Sequence, residues 1–62
     1  MIKIKVELIG QDGNIFNLVA IASRALERNG QREAASEMQD KVYNSSSYDE
    51  ALMIISDYVE IV

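Results

Sequence analysis

One stretch near the N-terminus constrains this chain more than any other. From Ile2 to Leu8 the side chains alternate, with Ile2, Ile4, Val6 and Leu8 on one face and Lys3, Lys5 and Glu7 on the other. A period of two marks a strand with one face buried. Such a strand needs a neighbour, because buried backbone donors and acceptors must be paired. The last four residues, Val59-Glu60-Ile61-Val62, alternate again and read as a short second strand. Two pairings are open. The terminal residues can pair with the first strand inside one chain, as a hairpin-like sheet. Alternatively, the first strand pairs with its copy in a second subunit about a two-fold axis.

Size bears on that choice. The chain has 62 residues, one domain at most. A domain of roughly 60 residues buries only about 60% of its unfolded surface, so it often needs a staple. There is no Cys and no His. Disulfides and thiolate metal sites are excluded, and zinc would have to be held by carboxylates alone. No metal or cofactor is expected. The staple left over is another copy of the chain. The expected fold is therefore α+β, with one N-terminal strand, three helices and a short C-terminal strand, the sheet completed by oligomerisation.

Gly10-Gln11-Asp12-Gly13-Asn14 is a turn cluster in which Gly10 and Gly13 can take positive φ and Asp12 or Asn14 can cap a helix. The pattern then predicts a first helix over 15–29. Its first half is apolar nearly all round, which marks burial on more than one side, and Phe16 reads as a core anchor. Asn29-Gly30 is a stop signal. A second helix is predicted over 31–43, with a narrow stripe of Ala34, Ala35, Met38 and Val42, and with Glu37 and Lys41 at a favourable spacing. After the loop Asn44-Ser45-Ser46-Ser47, Ser47 and Glu50 form a capping box and open a third helix from Tyr48 to about Tyr58.

The net charge is −4, which opposes general binding to a phosphate backbone. The third helix carries Asp49, Glu50 and Asp57, where a DNA-recognition helix needs basic or amide side chains. The N-terminal alternation is not a signal peptide, and no apolar run approaches the roughly 20 residues of a membrane span. A cytoplasmic protein is expected. Without His or Cys the commonest acid–base and nucleophilic arrangements are missing. Asp49 and Glu50 are explained by the helix dipole, so no catalytic residue is expected.

Contact residues are the remaining candidates. The Gly10–Asn14 turn sits between a strand and a helix, a place where backbone N–H groups can hold an anion, although it matches neither a dinucleotide fingerprint nor a phosphate loop. Arg24, Arg28 and Arg32 recur at four-residue spacing; Arg24 and Arg28 suit the end of the first helix, and Arg32 lies beyond the Gly30 break. Tyr43 and Tyr48 flank the Ser-rich loop, and aromatics beside small polar residues make contact surfaces. Packing against the core is the other reading of both rings. The residues that would touch a ligand or partner are Gln11, Asp12, Asn14, Asn17, Arg24, Tyr48 and Asp49.

Three segments carry a resemblance: GQDGNIFNL with ASRAL, then Gly30-Gln31-Arg32-Glu33-Ala34, then SYDEALMIISDYVEI. Together they cover most of the chain. Their GxDGNxF and SYDEAL elements resemble a family of short bacterial, phage and prophage proteins of unassigned function. The resemblance implies a mobile-element setting and carries over no catalytic residue. Small proteins in that setting commonly blunt host immunity, by covering a host protein or by sequestering a nucleotide signal. A scaffold dimer is the alternative expectation, and a DNA-binding regulator the third.

Overall fold

The computed structural model describes residues 3–62. The order is strand β1 (Lys5–Val6), helices α1 (Ile15–Arg28), α2 (Arg32–Tyr43) and α3 (Tyr48–Tyr58), and strand β2 (Glu60–Ile61). This is the small α+β arrangement expected from the pattern. Ile2, where the alternation starts, lies outside the described residues.

The two strands pair with each other, in parallel, with Lys5 opposite Glu60 and Val6 opposite Ile61. The ladder runs beyond the strand bounds. Glu60 N–H donates to the Ile4 carbonyl at 2.8 Å, Val62 N–H to Val6 at 3.0 Å, and the Val62 carbonyl accepts from Leu8 and Ile9 at 2.9 and 3.0 Å. The pairing is not hairpin-like, and the connectivity explains why. Short connections turn the chain back at each helix end, and three helical passes between the strands return it in its original direction. A parallel pair requires a long crossover of this kind. Strand β2 fills one side of β1 within one chain. The backbone groups of Lys5 and Glu7, which alternate away from β2, form the sheet's open edge.

The alternation sorts the faces as expected. Val6, Leu8 and Val59 are buried and Ile4 and Ile61 half-buried, whereas Lys3, Lys5, Glu7 and Glu60 are exposed. The three helices cover the inner face. Leu18, Val19, Ala22 and Leu26 of α1, Ala35, Met38 and Val42 of α2, and Ala51 and Ile55 of α3 complete the core. None of these buried residues is aromatic, and Tyr58 packs half-buried against them. Buried Ser23 is satisfied by the Gln39 side-chain amide of α2, which donates to its Oγ at 2.8 Å.

The helix ends follow from local chemistry. Gly30 takes φ +75°, and Gly30 and Gln31 N–H return to the Glu27 and Leu26 carbonyls at 3.1 and 2.9 Å, a Schellman ending. Gly10 is the other glycine with positive φ. Gly13, expected to share that property, does not. At the end of α3 no basic residue occupies the last turn. Lys3 supplies the charge from the sheet, its Nζ donating to the Ser56 carbonyl at 2.7 Å and meeting the negative end of the helix dipole.

Glu37 and Lys41 act through a third residue. Tyr58 of α3 donates its hydroxyl to Glu37 Oε2 at 2.6 Å, and Lys41 Nζ lies 5.4 Å from the Tyr58 ring centroid. Partial burial, and then the bond to Glu37, hold the Tyr58 hydroxyl above its ordinary 10.0. Tyr58, and then Glu37, raise Lys41 above its own ordinary value. Both groups keep their protons more tightly in the folded chain than in the unfolded one. The stability they add is therefore present below about pH 10 and is lost as pH rises through their folded values. We expect Tyr58→Phe to be less stable than the unmodified chain near neutral pH, in urea titrations followed by helical circular dichroism, with the gap closing as pH rises above about 10. Identical midpoints near neutral pH would show that this clasp adds nothing.

Candidate functional site

Two helix starts and one turn meet at one end of the molecule. Asn14 caps α1, its Oδ1 accepting from Phe16 N–H at 2.9 Å. Asp12 braces the cap, with its Oδ1 accepting from Asn14 N–H at 3.0 Å and its carbonyl accepting from Asn17 Nδ2 at 3.0 Å. Ser47 caps α3 by accepting from Glu50 N–H at 3.1 Å. Glu50 reaches back at 2.6 Å to the N–H of Ser46, one residue earlier than the usual capping box. The Tyr48 hydroxyl donates to the Gly13 carbonyl and ties α3 to the turn. A side chain at position 13 would meet that hydroxyl, because an added Cβ would lie 3.4 Å from it.

The structure brings Asp12, Asn14, Asn17 and Tyr48 into this one bonded group. Asp49 follows Tyr48 in the first turn of α3 and is exposed. Gln11 holds the turn through its backbone, donating to the Leu8 carbonyl at 3.1 Å, with its side chain outside the group. Arg24 stands apart. It is seven residues beyond Asn17, ~10 Å along the helix axis, and its Nε folds back to the Ala20 carbonyl at 3.4 Å. The turn is also a poor anion cradle. Its own Asn14 and Asp12 oxygens occupy the Phe16 and Asn14 amides, and the Asp12 carboxylate would repel a phosphate.

Sequence reasoning missed the feature beside this turn. Phe16 is not a core anchor but is 67% exposed, and Tyr43 and Tyr48 are 59% and 46% exposed. The Phe16 and Tyr43 rings lie 6.1 Å apart, tilted by 38°. They wall an open groove of about 560 Å³ whose floor is Ile15, Val42 and Ala51 and whose far side is Ser45–Tyr48. Tyr48 also borders a smaller hollow, which includes Leu8, Leu52 and Ile9; Ile9 is 73% exposed. The cause of the Phe16 error is geometric. Phe16 lies two turns before Ser23 on the same face of α1, the face that Gln39 of α2 covers. Helix α2 ends at Tyr43, so at Phe16 the cover runs out.

Comparison with protein-family models, curated proteins and solved structures finds no match to this chain. What the site can do must come from its own residues.

Charge is unevenly placed around the groove. Glu50 touches the groove through the Ser46 N–H, Asp49 follows the lining residue Tyr48, Asp40 lies one turn before Tyr43, and Asp12 braces the turn that opens α1; all four are exposed. Cations lie elsewhere. Lys3 is at the end of α3, Lys41 is over Tyr58, Lys5 is on the outer face of the sheet, and Arg24, Arg28 and Arg32 are at the α1–α2 turn. Phe16 and Arg28 are ~18 Å apart along α1. Among the described residues no cluster of acidic side chains is suited to hold a metal ion, and no helix is long and apolar enough to cross a membrane.

Proposed function

We propose that this chain is a non-enzymatic binding module that docks a partner protein in the Phe16–Tyr43–Tyr48 groove. One observation carries the reading. The chain has a single Phe and three Tyr, no aromatic residue is among the fully buried core, and the Phe and two of the Tyr surround one open groove. Phe is ordinarily among the buried residues. Clustered exposed aromatics are the commonest anchors of protein interfaces.

Covering a host protein, as a mobile-element counter-defence protein would, is one form of this function. Sequestering a nucleotide is supported less well, because the acidic rim opposes phosphate and the two rings pack against each other instead of parting for a base. Binding to DNA is opposed by α3, whose exposed residues include Asp49, Glu50 and Asp57.

Selection of binders from a random peptide library on the folded chain tests the proposal. Their footprints can then be mapped by amide chemical shifts. Binders are expected to shift Phe16, Tyr43, Tyr48 and the Ser45–Ser47 loop. Footprints confined to the sheet or to the α1–α2 turn would reject it.

A further inference from the structure

Resting on that reading of the groove, we infer that its partner is a cationic protein segment, in which an apolar or aromatic anchor is flanked by Lys or Arg. The floor of Ile15, Val42 and Ala51 is apolar and accepts the anchor. The rim is different in kind. Glu50 bonds the lining residue Ser46, Asp49 adjoins Tyr48, Asp40 precedes Tyr43 by one turn and Asp12 precedes the Asn14 cap, all of them exposed, whereas none of the chain's six Lys and Arg lines the groove. Two of those cations are already engaged inside the fold, Lys3 on the Ser56 carbonyl and Lys41 on the Tyr58 ring. A basic flank would meet Asp40 and Asp49, and the second carboxylate oxygens of Asp12 and Glu50, whose first oxygens are held by backbone N–H groups. Complementary charge of this kind raises the association rate and rejects like-charged partners.

A second copy is a poorer occupant. Across a two-fold axis the same patch faces itself, which would set one acidic rim against another on chains that each carry −4. A head-to-tail copy could bring Arg24, Arg28 and Arg32, but that end also carries Glu27 and Glu33 and offers only Ala34 as an apolar neighbour. The rim likewise disfavours an acidic partner protein.

Three synthetic peptides with one Trp-centred anchor test this, flanked by Lys and Arg, by Ser and Gln, or by Glu, and titrated into the isotope-labelled full chain. The basic peptide is expected to shift the groove amides and to bind about tenfold more tightly than its acidic twin. The gap should close as salt rises from ~0.05 to ~0.5 M, and it should shrink in Asp40→Asn/Asp49→Asn. Equal binding of all three peptides in the groove would overturn the charge inference and leave the groove reading standing. No peptide shifting the groove would defeat both. Groove amides that move when the chain alone is concentrated would make a second copy the occupant and also reject the inference.

Discussion

Removing residues 60–62 is expected to unfold the chain. Besides the pairing within β1 and β2, four backbone hydrogen bonds join these residues to 4–9, each worth about 1 kcal/mol net. Ile61 adds a further ~1 kcal/mol through its partial burial. The total, about 5 kcal/mol, is most of what a domain of this length possesses, roughly 3–9 kcal/mol. The loss does not stop at the deleted residues. The Ile4 and Val6 carbonyls and the Leu8 N–H lose their partners, and an unpaired buried backbone group costs more than the bond it made. Helical circular dichroism with urea titration reads the outcome. A shortened chain whose midpoint matches the full chain would show that the parallel pairing does not close the fold.

The second large effect concerns binding. Against a peptide selected on the unmodified chain, Phe16→Ser/Tyr43→Ser is expected to weaken the dissociation constant by at least about hundredfold, since aromatic anchors typically cost 2 kcal/mol or more each when truncated. Isothermal titration with both proteins measures the ratio. An unchanged constant would remove the two rings from the contact surface. Ile9→Ser is the useful companion. It stands 73% exposed beside the smaller hollow, and a smaller loss there would place the partner's centre over the rings and not over the sheet end.

Much of this architecture is legible in the chain. The three helices are visible in apolar periodicity, and their ends in short-range chemistry. Asn29-Gly30 announced the Schellman ending, and Ser47 with Glu50 the start of α3. Tyr43 and Tyr48 on either side of the Ser-rich loop could be read as contact residues or as core, and the exposure of both rings goes against core packing. The pairing partner of β1 was left between two options, since alternation reports which face is buried and says nothing of which strand lies alongside. Its direction was available, because an odd number of helical passes returns the chain parallel. Phe16 was misplaced for a longer-range reason. The first half of α1 is apolar all round, so periodicity could not separate the side covered by α2 from the side beyond the end of α2. The acidic rim was equally hidden, since Asp12, Asp40 and Asp49 are brought to one end only by the fold.

At the centre of the proposed function lies a separation of roles: buried non-aromatic side chains hold the fold, and the exposed Phe16 and Tyr43 rings are left for a partner. Equilibrium unfolding of Phe16→Ser/Tyr43→Ser beside Leu26→Ala tests it directly. Leu26 is fully buried, and its truncation should cost about 3 kcal/mol. The ring variant should stay within about 1 kcal/mol of the unmodified chain, as surface changes do. A ring variant that loses as much stability as Leu26→Ala would contradict the account, because the rings would then belong to the fold.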